Sequence, residues 1–189
     1  NCYKIQLLLS LLGKSCEWVD VDIMKGETRA PSFLEKTPNG KIPLLELDDG
    51  RVLSESNAIM HYIACNSPYV PSSPYHFSQL LQWQFFEQYS HEPYIAVARY
   101  INVYLGLPED KKAEYESKQA GGYRALAVME HQLNLTPYLL GDSISLADIS
   151  LFAYTHVANE GGFDLSAYPA IRNWIQLIKE QKGFIPMKA

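Results

Sequence analysis

The chain has 189 residues, 47% of them hydrophobic and 20% charged, which is the composition of a folded protein and not of a disordered tail. A formal net charge of −5 argues against a nucleic-acid binder, which needs a basic stripe. No apolar run reaches the ~18–20 residues of a membrane span, and the length allows two small domains.

Ile5, Leu8, Leu9 and Leu12 recur at helical spacing, with Asn1 at the N-cap and Gly13 placed to end the helix. Val19, Val21 and Ile23 alternate with acids over 17–23, which predicts a half-buried strand. Residues 25–37 read as a loop and a short helix around Pro31. Leu44–Leu47 and Arg51–Leu53 flank Asp48-Asp49-Gly50, a hairpin signal. Ala58, Ile59, Tyr62 and Ile63 form the next helical stripe. The order α-β-α-β-β-α makes a thin sheet, so a further strand is expected before Asn1, parallel to the 17–23 strand.

A stretch rich in proline and serine, residues 67–77, reads as a linker between a mixed domain, 1–66, and an all-helical domain, 78–189. In the second part Tyr94, Val97, Ala98 and Ile101 predict one stripe, with Pro93 kinking or starting it. Pro108 fits the first position of a helix reaching about Leu133. Ile171, Trp174, Ile175 and Ile178 form the last stripe, closed by Gly183. The tyrosines between Tyr75 and Tyr123 either line a cleft or form an aromatic helix interface.

Cys2, Cys16 and Cys65 are odd in number and widely spaced, with no Cys-x-x-Cys. That supports neither a zinc site nor a dithiol pair and suits a reducing, cytoplasmic setting. The five histidines show no metal spacing, so no metal is expected. Neither a phosphate loop nor a nucleophile elbow occurs.

Two segments carry the chemistry. In Ile42-Pro43 the proline either opens a strand or forms a cis bond that turns the Ile42 backbone toward an extended peptide. In Ser54-Glu55-Ser56-Asn57 a helix begins; either Ser54 or Ser56 caps it, or the helix amides and the Ser56 hydroxyl take a ligand carboxylate. Glu55 beside such an anion site suits a zwitterionic ligand.

The pair Asn39-Gly40-Lys41-Ile42-Pro43-Leu44-Leu45 and Glu55-Ser56-Asn57-Ala58-Ile59 resembles the glutathione site of cytosolic glutathione transferases, in the bacterial theta-like or nu-like branch. The resemblance extends over essentially the whole chain. Gly141-Asp142-Ser143-Ile144-Ser145-Leu146-Ala147-Asp148-Ile149 is similar to that family's folding module. Its own logic is a capping box from Ser145 to Asp148 with a staple of Ile144 and Ile149. The resemblance implies a thioredoxin-like first domain and an all-helical second one. It implies a cis Pro43, an Ile42 backbone that binds the cysteinyl unit, Glu55 and Ser56 on the γ-glutamyl head, and Lys41 near the glycine carboxylate. Asn1 then stabilises the glutathione thiolate, helped by a hydroxyl residue expected just before it. Cys2 is a rival as a redox residue, against a role as a small buried hydrophobe. Tyr94 and Tyr100 are expected on the wall facing a small electrophile. A homodimer is implied, with glutathione as co-substrate. The alternatives are a glutathione-dependent disulfide reductase and a non-catalytic binding or assembly module.

Overall fold

The structure, a computed structural model, describes residues 1–187. The chain divides into two compact units, Asn1–Ser67 with the segment that begins at Lys182, and Pro68–Gln181.

In the first unit α1 spans Cys2–Leu11 and buries Tyr3, Lys4, Ile5, Leu7 and Leu8. It ends as the sequence predicts. Gly13 takes φ 62°, its amide reaches Ser10 O at 3.1 Å, and Lys14 N reaches Leu9 O at 2.9 Å. This paired closure needs the left-handed conformation that glycine adopts freely. After α2, Pro31–Lys36, come β1, Leu44–Glu46, and β2, Val52–Ser54, which pair antiparallel with Leu45 opposite Leu53. Gly50, at φ 82°, closes the predicted turn. The helix α3, Ser56–Ile63, buries Ser56, Ile59 and Met60 and packs against α1.

The strand predicted over 17–23 does not form. Val19 is 73% exposed and Ile23 45%. Asp22 Oδ1 accepts the amides of Met24 at 2.9 Å and Lys25 at 3.1 Å, so the chain turns where the alternation would continue. Among the described residues the only sheet is the two-stranded β1–β2, and no described strand lies beside this segment. Alternation without a partner edge does not hold a strand.

The segment from Lys182 returns to α1. Tyr3 Oη donates to Ile185 O at 2.7 Å. Gly183, at φ 91°, lies so close to α1 that a Cβ there would come within 2.7 Å of Ser10 O. Gly183 therefore serves this contact; the helix it was expected to close already ends at Lys179.

In the second unit α4 spans Pro74–Phe86, so its first turn occupies the end of the expected linker. A π-type turn, Glu87–His91, leads into α5, Glu92–Arg99, and a second, Tyr100–Tyr104, follows it. Pro93 explains the first widening, since it lacks the N–H that the regular ladder requires. The buried stripe is His91, Ile95, Ala98 and Ile101, which keeps Ala98 and Ile101 of the predicted one; Ile95 is buried, while Tyr94 and Val97 lie at the edge. Pro108 is extended and precedes a short 3-10 turn, Glu109–Lys111; α6 then runs Lys112–Leu133. The helix α7, Leu146–Thr155, is almost wholly buried, and α8, Pro169–Lys179, buries the four residues of the predicted last stripe.

The capping box at α7 forms as read, and it does more. Asp148 Oδ2 accepts from Ser145 N and Ser145 Oγ, each at 2.8 Å, while Oδ1 accepts from Leu139 N and Trp174 Nε1, each at 2.9 Å. Burial pushes the Asp148 carboxyl above its usual range, and these donors pull the other way.

Candidate functional site

The N-termini of α1 and α3 meet in a short polar chain. Ser56 Oγ donates to Asn1 Oδ1 at 3.1 Å, and Lys4 Nζ donates to Ser56 Oγ at 3.4 Å. Asn1 is half-buried, Ser56 is 5% exposed and Lys4 is fully buried. Asn1 and Ser56, separated by 55 positions in sequence, are thus brought together.

Capping at α3 is not by serine. Glu55 holds the N-cap position, without a side-chain cap bond, and Ser56 is the first helical residue. Its hydroxyl is turned to Asn1, away from the helix amides. Glu55 sits at φ 67° and ψ 114°, a conformation that costs a non-glycine residue ~1–3 kcal/mol. The result is that Glu55 is exposed while its neighbour Ser56 is buried. Asn1 likewise occupies an N-cap position with no side-chain cap bond.

The hairpin entry supplies the second half. The Ile42–Pro43 bond is cis. No backbone hydrogen bond joins Ile42 to another described residue, so its N–H and C=O remain available to an extended ligand. Lys41 is exposed. Gly40, at φ 60°, is indispensable for closeness: a Cβ there would lie 2.9 Å from both Thr28 O and Arg29 Nη1. Arg29 is therefore a second exposed cation beside Lys41, and sequence reasoning missed it because it lies in a turn with no pattern of its own. Lys4 was missed too. Its signal was present, a lysine on the face shared by Ile5 and Leu8.

Cys2 is half-buried, and burial pushes its thiol up, away from the depressed pKa of an activated nucleophile. Tyr94 is half-buried with its ring against α6, where a Cβ on Gly121 would lie 2.2 Å from Tyr94 Cδ1. Tyr100 is 39% exposed and stacks on Tyr104 with centroids 5.7 Å apart. Among the described residues no group of three or more His, Cys, Asp or Glu stands ready to hold a metal ion, and no helix is long and apolar enough to cross a membrane.

Comparison with known proteins identifies the family. Residues 1–73 match the model of the glutathione S-transferase N-terminal domain, and residues 76–182 match that of the glutathione S-transferase C-terminal domain. The chain belongs to the glutathione S-transferase family, with a thioredoxin-like first domain and a helical second one. A glutathione S-transferase structure from Pseudomonas fluorescens is 58% identical, with a TM-score of 0.96 over 98% of this chain and 92% of that one. A glutathione transferase of Phanerochaete chrysosporium, solved in complex with oxidized glutathione, is 27% identical with a TM-score of 0.84 over 96% of this chain and 86% of that one. Among curated relatives, glutathione S-transferase F10 of Arabidopsis thaliana is 38% identical over 76% of this chain and 69% of its own length. The disulfide-bond oxidoreductase YfcG of Escherichia coli is 29% identical over 96% and 86%. Elongation factor 1-gamma of Danio rerio is 35% identical over 84% of the chain, which spans only 36% of that relative.

Proposed function

We propose that the protein is a glutathione transferase that conjugates or reduces small electrophiles with the glutathione thiolate. The observation that carries this reading is the Asn1–Ser56–Lys4 chain at the mouth of α3, with exposed Glu55 beside it. Ser56 and the α3 amides take the γ-glutamyl carboxylate, and Glu55 takes the ammonium of the same head. The tripeptide backbone pairs with Ile42 at the cis Pro43, and Lys41 meets the glycine carboxylate. The NH2 end of the Asn1 side-chain amide is the donor offered to sulfur. The thiol gives its proton to solvent, the thiolate sulfur bonds to an electrophilic carbon, and the leaving group departs with the bonding electrons. The protein's part is fixed donors held toward the sulfur. A homodimer in the cytoplasm belongs to the same reading and is checked by sedimentation.

Asn1→Ala is expected to raise the pKa of bound glutathione by about one unit, ~1.4 kcal/mol of lost thiolate stabilisation. Ultraviolet thiolate absorbance against pH measures it, alongside turnover of a chlorinated nitroarene. An unshifted pKa removes Asn1 from the site. Failure of the wild-type protein to bind glutathione in calorimetry removes the reading itself.

The similarity to a disulfide-bond oxidoreductase over 96% of the chain favours one further reading, glutathione-dependent disulfide reduction. There the thiolate attacks one sulfur of a disulfide and expels the other as thiolate. A second glutathione thiolate then attacks the glutathione sulfur of the mixed disulfide, giving oxidised glutathione and expelling the substrate's remaining sulfur as thiolate. Turnover of hydroxyethyl disulfide well above that of the nitroarene selects this reading.

A further inference from the structure

Lys4 is the group that the site does not yet explain. Its side chain is fully buried, and a buried ammonium costs free energy that an aliphatic side chain of similar length does not. It points at Ser56 Oγ, 3.4 Å away. Lysine only donates, whereas a hydroxyl has one proton and two lone pairs. With Lys4 donating into Oγ, the Ser56 proton has to point away from Lys4. Here it goes to Asn1 Oδ1 at 3.1 Å. A carboxylate at the α3 mouth is a stronger acceptor than an amide oxygen and takes that proton when it binds. The ammonium behind the hydroxyl adds its charge to the positive end of the α3 dipole.

We propose that Lys4 is a positioning residue: it holds the Ser56 hydroxyl as an outward donor for the α-carboxylate of the ligand's γ-glutamyl head. This rests on the glutathione reading above. Lys4 works through Ser56 and does not itself touch the ligand.

The test measures, by calorimetry on the whole chain, the affinity for glutathione and for an analogue with hydrogen in place of the γ-glutamyl α-carboxylate. The quantity read is the ratio of the two dissociation constants. Lys4→Met is expected to lower the preference for glutathione about tenfold, and Lys4→Arg to restore most of it. In a Ser56→Ala background Lys4→Met is expected to change the ratio by less than about twofold, since its relay is gone. Lys4→Gln, which keeps a donor but no charge, stands in if Lys4→Met does not fold, and must lose part of the preference. A ratio unchanged by both neutral variants overturns the inference, as does an equal loss with and without Ser56. If wild type binds neither ligand, the glutathione reading falls first and this one with it. If wild type binds glutathione and the ratio ignores Lys4, only this inference falls.

Discussion

Replacing Asp148 by alanine tests a buried acidic side chain that joins three parts of the helical unit. Its carboxylate, 0% exposed, accepts from Ser145 N, Ser145 Oγ, Leu139 N and Trp174 Nε1 at 2.8–2.9 Å. Alanine leaves the N–H groups of Ser145, Leu139 and Trp174 without that acceptor, and all three residues are buried. Each stranded donor costs ~1–3 kcal/mol. Removal of a buried carboxylate returns part of that sum as relieved desolvation, which leaves a net loss of about 4 kcal/mol. Ser145→Ala removes only the cap hydroxyl and is expected to cost about 1 kcal/mol. For a chain of this size the larger loss lowers the melting temperature by roughly 10 °C. Urea unfolding followed by circular dichroism measures both variants, and hydrogen exchange at the Leu139 amide reports the local loss. Equal destabilisation by the two substitutions, within about 1 kcal/mol, would refute the assignment of the excess to Leu139 and Trp174.

Two adjacent glycines of α6 should respond unequally. Alanine normally improves a helix interior by ~1 kcal/mol over glycine. At Gly122, however, the new Cβ would lie 2.2 Å from Cε1 of Phe163, which is fully buried and cannot yield. Gly122→Ala should therefore destabilise by about 1–2 kcal/mol, and Gly121→Ala by less, because the half-buried Tyr94 ring it meets can swing; thermal melts of the two variants decide. His156 gives a pH signature. Burial lowers its pKa, while its ring stacks on Phe152 and bonds Phe152 O. The folded chain thus resists a proton that the unfolded chain accepts near pH ~6.5. Stability from neutral His156 is present above that value and is lost as pH falls toward the depressed folded pKa. His156→Gln should flatten the denaturation midpoint between pH 7 and about 5; an unchanged slope would place the titration elsewhere.

What could be read from the chain was local. The closure at Gly13, the hairpin at Asp48-Asp49-Gly50, the cap at Ser145 and the stripe of α8 each depend on residues within one or two turns of one another. Their turn chemistry and periodicity therefore sufficed. The 17–23 strand failed because alternation states only that a segment can pair, while pairing needs an edge supplied from elsewhere. At the site, Asn1, Glu55 and Ser56 were visible as a motif. The hydrogen bond from Ser56 to Asn1 was not, because the two stand at the starts of different helices. Lys4 and Arg29 take their meaning from groups brought close by the fold, the Ser56 hydroxyl in one case and Gly40 in the other.

The hydrogen bond from Tyr3 to Ile185 joins residues 182 positions apart. During synthesis α1 leaves the ribosome well before the segment on which Tyr3 and Ser10 rest. Domain-by-domain maturation, the ordinary sequence for a growing polypeptide, cannot finish the unit that holds α1 until synthesis has passed Ile185. The helix that carries Lys4 is therefore made early and locked in place late.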